Sequence, residues 1–119
     1  VYVNTGGYMP TTYIGLAFSA QMLSGSGRIA FEQVPIDQIK VDGLVSCANP
    51  SHKASLDALK TRYGIDIPVS EKAPKVSLVN VGDAIIVLQI SGLPRETREF
   101  TAEEVAKANF SAMKFTIMP

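Results

Sequence analysis

His52 carries the only imidazole in the chain, so general acid–base chemistry near neutral pH falls most naturally to it. Asn49-Pro50-Ser51 ahead of it supplies helix-start signals, which sets His52 in the first turn of a helix predicted over residues 51–63. At about 100° per residue, His52 shares one sector of that helix with Leu56, Leu59 and Tyr63. A helix start exposes unpaired N–H groups and a partial positive charge, so an anionic phosphate would be at home beside the ring. The alternative is a surface or half-buried histidine that only caps or packs. Arg95, Glu96, Arg98 and Glu99 form a charged loop, in which an arginine fork suits phosphate. The same loop also reads as a solvated, self-compensating turn. Ser19, just after a predicted strand, either offers its hydroxyl to a ligand or serves as an N-cap.

Other chemistries lack their residues. Ser24-Gly25-Ser26-Gly27 has no Lys-Ser/Thr of a Walker loop, and no Gly-x-Gly-x-x-Gly occurs. One His and one Cys do not make a zinc site, and no Gly-x-Ser-x-Gly elbow supports a serine triad. Neither a metal nor an organic cofactor is therefore expected. Cys47, in an apolar context, reads as inert rather than reactive.

The elements that must position these groups belong to one domain. The chain has 119 residues, 46% apolar, with 11 Lys+Arg against 11 Asp+Glu. At this size a single core is expected, and disorder is not. Zero formal charge argues against binding long nucleic acid, which needs clustered cations, but leaves room for a small anion held by a few groups. A single cysteine forms no internal disulfide and suggests a cytoplasmic protein; the apolar runs are too short to span a membrane. Residues 1–8 (VYVNTGGY) read as an upstream extension or an expression remnant ahead of Met9, and 9–119 as the single domain.

Strands are predicted over 12–18, 28–34 and 110–118, with a short apolar stretch at 44–47 that is strand or loop. Residues 76–79 and 84–91 are expected to pair as a β-hairpin about Gly82-Asp83, the second arm too apolar for an edge. Gly64 sits where the helix over 51–63 should end, and the stem of Arg62 should lie along apolar surface with its head in water. Thr101 and Glu104 have capping-box spacing for a helix reaching about Ala108. The fold class is α/β: one domain, with a mixed sheet of five or six strands and helices packed on it.

These pieces resemble a family. Phe18-Ser19 with Met22-Leu23 is similar to the Ala-Phe-Ser-x-Asn-Met-Leu opening of the small anti-CRISPR ring nucleases of archaeal viruses and phages and their bacterial relatives. Ser51-His52-Lys53-Ala54-Ser55-Leu56 resembles their Gly-His-x-x-Thr helix start, and Gly64 to Pro68 their Gly-x-x-x-Pro. Val81-Gly82-Asp83, Gly92, Pro94, Glu96 and Thr101-x-Glu-Glu follow at similar spacings, so the resemblance covers about residues 12–118. It implies a homodimer that encloses cyclic tetra-adenylate and cuts it, without metal, by attack of a ribose 2′-OH on the neighbouring phosphate. His52 would be the general acid, Ser19 a ligand contact, and Glu96 a loop carboxylate orienting the histidine.

Three positions depart from the pattern. The arginine expected after Gly92 is Leu93, with Arg95 two positions on as a substitute. The Asn of the opening is Gln21, a longer amide that still reaches a ligand, and the Gly before the histidine is Ser51, expected with Ser19 and Gln21 to contact the ligand. Losing an electrostatic donor bears on rate more than on binding, on the order of 100-fold by analogy with oxyanion-hole deletions. Two other functions therefore stand beside cleavage: a sponge that retains the cyclic nucleotide, and a structural or protein-interaction domain on the same fold.

Overall fold

β4 (Ala84–Ser91) is the spine of the molecule, and its sequence AIIVLQIS explains why. A strand with apolar side chains on both faces is stable only when both faces are covered and both edges paired. β1 (Thr12–Gly15) lies parallel on one side of β4, and β5 (Asn109–Met118) antiparallel on the other. β2 (Arg28–Val34) extends β5 antiparallel, and the two-residue β3 (Val45–Ser46) runs parallel to β1. The result is a five-stranded mixed sheet in the order β2-β5-β4-β1-β3. This computed structural model describes residues 10–92 and 101–119. The extension at 1–8 and the loop with Leu93, Arg95, Glu96, Arg98 and Glu99 lie outside the described residues.

Alternation along the strands sends side chains to two faces. Ile14, Ile86, Leu88 and Ala112 meet the helix α1 (Lys53–Tyr63) through Leu56 and Leu59, with Ile65 and Ile67 sealing its exit. Among the described residues no α-helix covers the opposite face, with Ile85, Val87, Phe115 and Ile117. Phe18, Met22, Leu23, Val76 and Leu78 from irregular segments lie over it, and Phe18 stacks on Phe115 at 4.4 Å between ring centroids. Among the described residues no helix is long and apolar enough to cross a membrane.

α1 ends as its sequence requires. Gly64 takes φ +72° and its N–H donates to Lys60 O at 2.8 Å. A second helix, α2 (Ala102–Lys107), opens with the expected capping box: Thr101 N donates to Glu104 Oε1 at 2.8 Å and Glu104 N to Thr101 Oγ1 at 3.2 Å. Arg62 does more than expected. The residue is exposed as expected, but its guanidinium also donates to Val105 O and Ala108 O and lies 5.4 Å from the Phe110 ring centre, so it ties α1 to the end of α2.

The expected hairpin does not form. β5 and β1 hold the two edges of β4, leaving none for residues 76–79. That segment makes a single parallel bridge, Leu78 to Leu23, and its apolar residues serve as cover. The Gly82-Asp83 turn is real but differently employed. Asp83, the one buried charged side chain among the described residues, accepts from Val79 N and Asn80 N through Oδ2 and from Thr11 N through Oδ1, at 3.0–3.2 Å. Gly82 has φ +95°, and a Cβ there would meet Pro10 at 2.9 Å. β1 is also shorter than the predicted 12–18: its pairing with β4 ends at Gly15 opposite Val87.

Candidate functional site

β1, β3 and β4 run parallel, so their carboxyl ends lie at one end of the sheet. Ligands of parallel sheets collect outside such ends, because the following loops diverge there. β1 releases the chain into the 3₁₀ turn Ala20–Met22, and β3 into the 3₁₀ turn Pro50–His52 that leads into α1. β4 ends at the same end of the sheet, and Gly92 is the last residue described after it.

His52 is set by the turn ahead of it. Asn49 Oδ1 accepts from Ser51 N at 3.0 Å and from the Ser51 hydroxyl, and His52 N donates to Asn49 O at 3.1 Å. Proline fits the first position because its missing N–H costs nothing there. The predicted helix start is thereby split: 50–52 is a 3₁₀ turn, and His52 stands at the N-cap of α1 without capping it by its side chain. The ring is half-buried and lines a hollow of about 250 Å³ with Leu16, Met22, Cys47, Asn49 and Val76.

A second hollow of about 280 Å³ is lined by Ser19, Gln21, Met22, Lys75 and Val76, so the two share Met22 and Val76 as a common wall. Ser19 occupies the N-cap position of Ala20–Met22, but its hydroxyl makes no capping bond. His52, Ser19 and Gln21 are thus brought to adjoining hollows, whereas Ser51 is exposed and its donors are turned to Asn49. Cys47 Sγ donates to Ile14 O at 3.3 Å. Burial pushes its thiol above the ordinary range, partly offset by a backbone hydrogen bond, which disfavours the thiolate. A Cβ at Gly15 would run into that sulfur, which accounts for the glycine inside β1.

Asn49 and Lys75 escaped sequence reasoning as site residues. Asn49 carried only a helix-start signal, and Lys75 lies in a Lys/Pro-rich stretch with no linear tie to Ser19. The Ser24–Gly27 loop lines a separate hollow of about 310 Å³ with Leu23, Leu78 and Ile117. That hollow is at the other end of the sheet, since Ile117 lies beyond the Thr116–Ala84 pair at the start of β4. Among the described residues no cluster of three or more His, Cys, Asp or Glu could hold a metal.

No family model matches the sequence, and no curated protein matches it. The structure is similar to B116 of Sulfolobus turreted icosahedral virus, with a TM-score of 0.65 and 16% identity over 89% of this chain and 98% of that one. At that identity the likeness is one of fold, and the chain shares the architecture of a small viral protein.

Proposed function

We propose that this chain binds and opens a cyclic oligoadenylate, with cyclic tetra-adenylate the leading ligand, and so antagonises type III CRISPR defence in the host cytoplasm. The observation that supports this reading is the meeting of His52, Ser19 and Gln21 in adjoining hollows at the carboxyl ends of β1 and β3. The family resemblance assigns Ser19 and His52 to one ligand, and Gln21 stands where that family has an Asn. In the proposed step a ribose 2′-oxygen attacks the adjacent phosphorus and the P–O5′ bond breaks. His52 gives its proton to the departing 5′-oxygen, and the 2′-OH proton passes to solvent. A 2′,3′-cyclic phosphate results, and two such cuts yield linear di-adenylate. Glu96 orients the histidine and Arg95 steadies the phosphorane charge that the family's arginine, here Leu93, would have met.

A homodimer belongs to this reading. Clefts that enclose drug-sized ligands run to about 300–1,000 Å³, and a four-nucleotide ring is larger than either hollow of one chain. The surface for a second copy is the helix-free face: Phe31 on the edge strand β2 is 70% exposed, opposite Phe115 in register. Phe115 stacks on Phe18, the neighbour of Ser19, so an interface there is continuous with the site. Two-fold symmetry would offer the same groups to opposite halves of the ring. Incubation with cyclic tetra-adenylate and EDTA tests the proposal: linear di-adenylate ending in a cyclic phosphate is expected. Leu93 favours a second reading, retention without turnover, which would show as intact ring co-eluting with the protein.

A further inference from the structure

We propose that Lys75 is the cation that holds a phosphate of the ligand beside Ser19 and Gln21. The inference rests on the reading above and adds a residue that no sequence motif marks.

Lys75 is the one permanently charged side chain among the described residues lining either hollow. The chain as a whole is neutral, so an anionic ligand must be met by locally placed charge rather than by an overall field. Three other lysines are engaged, Lys53 with Asp57, Lys60 with Asp66 and Lys107 with Glu103, and Lys40, Lys72 and Lys114 line neither hollow. Lys75 enters no ion pair or hydrogen bond among the described residues. No carboxylate among the described residues competes with a phosphate for its ammonium.

Its backbone is held while its side chain is exposed. Pro74 before it lines the His52 hollow with a fixed φ. Val76 after it packs into the apolar cluster with Phe18 and Met22 and belongs to both hollows. The lysine is thus anchored on both sides at the boundary between the histidine and the Ser19 hydroxyl. An ammonium binds phosphate as a point charge and tolerates several approach angles, which suits a ring whose phosphates shift as one is cut.

The test measures affinity for cyclic tetra-adenylate at low and moderate salt, in a His52→Ala background that prevents turnover, with Lys75→Met and Lys75→Arg added to it. Lys75→Met is expected to bind about tenfold more weakly, the loss of one charge-assisted contact. Its salt dependence should be shallower, Lys75→Arg should restore both, and the melting temperature without ligand should not move. Equal affinity and equal salt dependence for Lys75→Met would overturn the assignment while leaving the ring-binding reading intact. Failure of both the wild-type chain and the His52→Ala variant to bind the ring would overturn that reading and this inference with it.

Discussion

Replacing Asp83 by alanine removes the acceptor for three backbone N–H groups at once, those of Thr11, Val79 and Asn80. Each net hydrogen bond contributes about 1 kcal/mol, so the expected loss is about 3 kcal/mol. For a chain of this length, roughly 4 °C per kcal/mol places the fall in melting temperature at about 12 °C. Asp83→Asn should lose about half as much, roughly 1.5 kcal/mol. The two carboxylate oxygens are used by different donors, Oδ1 by Thr11 and Oδ2 by Val79 and Asn80, and an amide turned either way presents an NH₂ to one set. Urea titrations of the wild type, Asp83→Ala and Asp83→Asn read the series, with unchanged m-values showing that the compactness of the end states is preserved. The consequence reaches the site, because residues 76–79 cover the helix-free face and Val76 is part of the wall common to both hollows. A loss below about 1 kcal/mol for Asp83→Ala would refute the claim that this carboxylate organises the entry to β4.

Arg62→Met keeps the stem but removes the donors to Val105 O and Ala108 O; a loss of about 2 kcal/mol is expected in urea denaturation. Phe31→Glu should leave the monomer fold intact, since the ring is 70% exposed, but should abolish dimers in light scattering if the helix-free face is the interface.

Features set by a few neighbouring residues were legible in the sequence. Gly64 announced the end of α1 because only a residue at ease with positive φ closes that turn, and Thr101 with Glu104 announced α2 by matching two donors to two acceptors. The continuous apolar run of β4 announced a central strand. Features set by competition between distant segments were not. Residues 76–79 have strand composition, but β1 and β5 had already taken both edges of β4. The exposure of Arg62 was legible, but its acceptors, 43 and 46 residues away, were not. The site divides the same way. His52 stood out as the lone imidazole, Ser19 through its place after a predicted strand, and Gln21 through the resemblance. Their meeting depends on β1 pairing with β3, which nothing local to either strand encodes. Lys75 joins them only because the cover segment folds over the sheet, so no spacing could have pointed to it.

The central claim is that His52 gives a proton to the leaving oxygen of a ring it helps to enclose. Its most direct test is a side-by-side measurement of cyclic tetra-adenylate cleavage and binding by the wild type and His52→Ala in EDTA. The account predicts linear di-adenylate with a 2′,3′-cyclic phosphate from the wild type. The variant should retain the ring and cleave at least about 100-fold more slowly, the lower end of what a positioned acid supplies. Undiminished cleavage by His52→Ala, or a wild-type chain that leaves the ring intact, would contradict it.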